Sequence, residues 1–93
     1  PKYSISNFWL NILRIDKKYF KKNINQIVKI MQKKNIELRY VWKLNHLQKP
    51  YAYCQSYEIT NAIEISNNSL CLPSSVPLES SSIYKIAEIL GNI

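Results

Sequence analysis

Ninety-three residues, 46% of them hydrophobic and 12% aromatic, fit one domain with one core, because a chain of that size buries about two-thirds of its unfolded surface. No apolar run approaches the roughly 20 residues that cross a bilayer, and the start, Pro1-Lys2-Tyr3-Ser4, has neither an initiator methionine nor the charged-then-apolar order of a signal peptide, so the chain reads as a non-membrane piece of something longer. The net charge of +7 raises nucleic acid as a partner, but 11 of the 13 basic residues are lysine, whereas phosphate and base readers favour the flat fork of arginine.

Residues 7–15 are dense in aromatic and β-branched types and hold no Gly or Pro, which predicts a strand covered on both faces. Asp16 offers a carboxylate N-cap, and over 17–34 the apolar residues Phe20, Ile24, Ile27, Val28 and Met31 form one helical stripe about 27 Å long. Lys17, Lys18, Lys21, Lys22, Lys29, Lys33 and Lys34 occupy the remaining face, read as solvated. Asn35 suits a left-handed stop. Residues 36–42 alternate Ile36, Leu38, Tyr40 and Trp42 against Glu37, Arg39 and Val41, the period of a second strand.

Residues 43–57 break both periodicities yet gather His46, Tyr51, Tyr53 and Tyr57, which predicts an ordered loop. A helix is expected over 58–67 with Ile59, Ala62 and Ile63 inward. Leu70, Cys71 and Leu72 make a short edge strand that Pro73 ends, having no donor for a ladder. The serine-rich stretch 74–82 connects to a final helix, its last serines serving as caps, with Ile83, Ile86, Ala87 and Leu90 buried before Gly91. The order predicts an α+β fold: a two-layer α/β sandwich, a small sheet with helices packed on it.

The single Gly excludes a glycine-rich phosphate cradle, and His46 is the one histidine, so no zinc set can be assembled with Cys54 and Cys71. The two cysteines are expected to be reduced thiols, Cys71 buried, in a cytoplasmic setting. Nothing in the spacing sets a hydroxyl or thiol beside His46 with an orienting carboxylate. The cluster that can carry chemistry is Arg39, Trp42, His46, Gln48 and Tyr51, leaving a strand end and able to supply charge, stacking and hydrogen bonds to a polar ligand. A structural reading stays open beside it: Trp42 and Tyr51 as core plugs, Arg39 paired with Glu37 or another acid, His46 satisfying a backbone carbonyl.

Asn7-Phe8-Trp9-Leu10, a long helix, then Ile36-Glu37-Leu38-Arg39-Tyr40-Val41-Trp42, then His46-Leu47-Gln48-Lys49-Pro50-Tyr51, then Leu72-Pro73-Ser74 resembles the C-terminal part of the DegT/StrS-type aminotransferases. Within that family it looks most like the branch acting on UDP-linked precursors of bacillosamine or legionaminic acid. The resemblance implies the C-terminal small domain of a homodimeric fold-type-I enzyme that uses pyridoxal phosphate, the electron sink of the reaction, to move an amino group from glutamate to a nucleotide-linked keto sugar in surface-polysaccharide or amino-sugar biosynthesis. It also implies that the cofactor lysine precedes Pro1, that the piece alone binds no cofactor and is catalytically silent, and that about 250 to 300 further residues lie upstream. By the same resemblance His46, Arg39 and Gln48 are candidate substrate contacts, and Trp42 and Tyr51 candidate walls of the cleft. A rival expectation from charge alone is a stand-alone basic module for RNA or another anionic partner, and a third is an interaction domain docking through the aromatic loop.

Overall fold

The computed structural model describes residues 2–93; Pro1 lies outside them. Among the described residues the sheet consists of β1 (Ile12–Arg14), β2 (Arg39–Tyr40) and β3 (Ser69–Cys71). β3 lies between the other two and runs antiparallel to both. Ile12 and Arg39 both stand opposite Cys71, and Leu13 and Tyr40 both stand opposite Leu70. The helices are α1 (Ile24–Lys33), α2 (Thr60–Asn67) and α3 (Ser80–Gly91).

Side chains alternate across a strand, so Leu13, Leu70 and Tyr40 share one face of the sheet. On that side Leu70 meets Ile27 and Met31 of α1 and Ile86 and Leu90 of α3, with Ile15 and Leu38 completing the cluster. Ile27, Met31 and Leu70 are fully buried, each contributing on the order of 2 kcal/mol by leaving water. The result is the expected α+β architecture of a small sheet with helices packed on it.

Helix α1 shows how local sequence sets its limits. Its cap is a reciprocal pair: Gln26 N–H donates to Asn23 Oδ1 and Asn23 N–H donates to Gln26 Oε1, both at 3.0 Å, satisfying two donors that the first turn leaves free. At the other end Asn35 adopts φ 58°. Its N–H reaches the Gln32 carbonyl and the Ile36 N–H reaches the Met31 carbonyl, both at 3.0 Å, a Schellman closure that needs the left-handed residue found there.

Several expected limits are corrected. The strand foreseen over 7–15 forms a ladder only at Ile12–Arg14, because Phe8 takes φ 54° and the N–H groups of Phe8 and Trp9 bond to the side chains of Ser6 and Asn7, local partners that compete with a ladder. Asp16 caps no helix. Its carboxylate accepts from Lys18 N–H at 2.8 Å and its carbonyl from Tyr19 and Phe20, so residues 17–19 form a turn and the helix waits for Asn23. Phe20 packs on the core from outside the helix.

The second strand shrinks to Arg39–Tyr40. β3 is central rather than an edge, with Ser69, Leu70 and Cys71 all buried, since it alone finds a partner on each side. In α2 no residue is buried and Ile63 is 37% exposed. Glu79, not a serine, occupies the N-cap of α3, without a side-chain bond. Ile86 and Leu90 are buried as expected, but Ile83 and Ala87 are exposed: only one flank of α3 reaches the sheet.

Candidate functional site

The chain leaves β2 after Tyr40 and passes through two short 3-10 turns, Asn45–Leu47 and Lys49–Tyr51, before an exposed run over residues 51–58. Pro50 fits the opening of the second turn, where its missing N–H costs nothing. Gln48 is spent inside this loop: its Nε2 donates to the Lys43 carbonyl at 3.0 Å and to Asn45 Oδ1 at 3.2 Å. The amide foreseen as a ligand contact therefore fixes the loop that carries His46.

His46 is half-buried, and no side-chain hydrogen bond to it occurs among the described residues. It is neither sealed inside nor tied to a backbone carbonyl, so its ring nitrogens remain free to donate or accept. Tyr51 is 49% exposed and Trp42 64% exposed, which removes the reading of both as core plugs. Trp42 rests against Trp9 with ring centroids 5.3 Å apart at an interplanar angle of 53°, a tilted pair worth about 1 kcal/mol. Trp9 precedes β1 and Trp42 follows β2, so this contact joins the two outer strands across β3.

Arg39 behaves differently. Its Nε donates to Glu37 Oε1 at 3.0 Å with both side chains exposed, the pairing that the sequence left open, and a surface pair of this kind is worth little. Arg39 and Trp9 line a groove of about 700 Å³ at the end of the sheet where β3 exits. Cys71, Ser74, Ser82 and Lys85 share it. The groove was not legible in sequence, because its walls come from four separated segments. The five candidates thus divide: Arg39 lines the groove, Trp42 rests on the groove-lining Trp9, and His46, Gln48 and Tyr51 lie in the loop. Both cysteines are free, Cys54 exposed and Cys71 buried. Among the described residues no three His, Cys, Asp or Glu side chains gather closely enough to hold a metal ion, and no helix is long and apolar enough to cross a membrane.

The described residues thus form a small α+β domain with an exposed aromatic loop beside its sheet. Its sequence matches the DegT/DnrJ/EryC1/StrS aminotransferase family over residues 1–91; the chain belongs to that family. No individual curated protein matches it.

Proposed function

We propose that the chain is the C-terminal small domain of a pyridoxal-phosphate-dependent aminotransferase that transfers an amino group from glutamate to a nucleotide-linked keto sugar, in cytoplasmic amino-sugar or surface-polysaccharide biosynthesis. Family membership supports the amino-transfer chemistry. The observation that carries the placement is surface area. A self-standing protein of 11.0 kDa exposes about 5,600 Å², whereas this chain exposes 8139 Å². The surplus is about the area of a large interface, and the wholly exposed runs 2–9 and 49–58 contribute to it. Surface of that extent is what a larger domain or a second subunit covers.

The residues of this chain do not fit as the holder of the cofactor. Every lysine is exposed or, at Lys22, half-buried, and this chain by itself gives none of them the dry surroundings that activate a carbonyl-trapping amine. The one carboxylate in the groove, Glu37, is engaged by Arg39. In this reading the cofactor is held by a larger domain, and this domain's part is to wall the cleft: His46 as a polar contact to the substrate, Trp42 and Tyr51 as apolar sides, Gln48 holding the loop in place, and Arg39 able to take an anionic group once freed from Glu37.

The test is spectroscopic. Protein that carries this domain behind its upstream region is expected to show the visible band of bound pyridoxal phosphate, to lose it on adding glutamate, and to recover it with a nucleotide-linked keto sugar. His46→Ala should raise KM for the sugar without altering the bleaching by glutamate. Absence of the band, or bleaching without recovery on any nucleotide-linked keto sugar, would count against the assignment.

A further inference from the structure

The connection between β1 and α1 concentrates charge. Lys17, Lys18 and Lys21 are exposed and Lys22 half-buried, and none is ion-paired, the ion pairs among the described residues being Arg14–Glu64 and Arg39–Glu37. Asp16 is the one carboxylate in this connection, and it already accepts the Lys18 N–H. The turn is ordered: its carbonyl bonds from Asp16 to Tyr19 and Phe20 measure 3.0 and 2.9 Å, and the Lys18 ammonium lies 5.5 Å over the Tyr19 ring. Four like charges held within six residues repel one another, a cost that a bound polyanion removes.

Two further features give this charge a direction. The turn runs straight into the N-terminus of α1, whose first turn contains no acidic residue, so the positive end of the helix dipole adds to the lysines. The Tyr40 hydroxyl bonds Asn25 Oδ1 at 2.8 Å, which sets the start of α1 beside the exit of β2, two residues before Trp42. The groove on the other side is the poorer anion site. It is lined by Lys34 and Lys85, but its Arg39 is held by Glu37, and Lys34 caps the negative end of α1.

We propose that the lysine-rich segment carrying Lys17, Lys18, Lys21 and Lys22 seats a diphosphate, drawing in and holding the pyrophosphate bridge of the nucleotide-linked substrate. The identity of the substrate rests on the function proposed above; the anion site rests on the turn itself.

Titration of the isotope-labelled chain with sodium pyrophosphate and with UDP tests it. Pyrophosphate is expected to move the backbone amides of residues 17–26, and UDP to move the same amides. The quadruple variant Lys17→Gln, Lys18→Gln, Lys21→Gln, Lys22→Gln should bind about fivefold more weakly or worse, and raising salt from about 50 to about 200 mM should weaken the parent more than this variant. An equal-charge control, Lys29→Gln, Lys33→Gln, Lys34→Gln, Lys85→Gln, should bind nearly as the parent does. Equal weakening by both variants, no movement at 17–26, or shifts confined to the groove would overturn the site. A uridine oligonucleotide that moves the turn when pyrophosphate does not would overturn it in favour of a general polyanion surface. If the upstream-extended protein fails to transaminate while pyrophosphate still seats on the turn, the enzyme reading falls and the anion site stands; active transamination with a silent turn has the reverse meaning.

Discussion

Ser69 is fully buried on β3, and its hydroxyl finds no hydrogen-bond partner among the described residues. A dry, unpaired hydroxyl costs free energy rather than contributing it. Ser69→Ala is therefore expected to leave stability unchanged or raise it by up to about 1 kcal/mol, read from the denaturant midpoint. A loss beyond about 1 kcal/mol would mean that the oxygen has a partner. At the same scale, Gln48 reads as a ligand contact because an amide near a histidine and two aromatics suits one, and in the fold its Nε2 bonds the Lys43 carbonyl and Asn45 Oδ1 within the loop. The sequence cannot separate those uses, since both need the same donors.

Element limits follow the residue that satisfies the free backbone groups. Asp16 and Asn23 both have the chemistry of a cap, yet only Asn23 stands three residues ahead of a glutamine able to bond back. Asn23→Ala should cost about 1 kcal/mol of stability, whereas Asp16→Ala, which opens only a turn, should cost less, and circular dichroism at rising denaturant measures both. An equal or larger loss at Asp16 would move the helix start toward it. The apolar stripe of α1 was legible from period alone, with Ile27 and Met31 buried as expected. The stripe of α2 was not: Ile59, Ala62 and Ile63 have helical spacing, but no residue of α2 is buried.

The whole molecule is more open than its length requires. Its radius of gyration is 15.4 Å against about 12 Å for a compact chain of this size. Phe8, Trp9, Trp42, Tyr53 and Tyr57 stay exposed together with Ile12 and Leu47, more apolar surface than a lone domain usually leaves in water. In isolation the chain is expected to self-associate at high concentration and to bind a hydrophobic dye. Trp9→Ser with Trp42→Ser should reduce both, measured by sedimentation and dye fluorescence. A monodisperse parent that binds no dye would remove the case for a covering partner.

The order of helices and strands, the α1 stripe with its left-handed stop, the burial of Cys71, and the likeness to an aminotransferase family could all be read from residues in line. These depend on neighbours a few positions apart, where periodicity and capping chemistry act. The central place of β3, the Trp9–Trp42 contact, the place of Arg39 in the groove, and the bond of Tyr40 to the start of α1 were decided by pairing between distant segments. Strand order is chosen by which side chains can share one core, here around Leu70, and that is a property of the assembled layers rather than of any stretch of sequence.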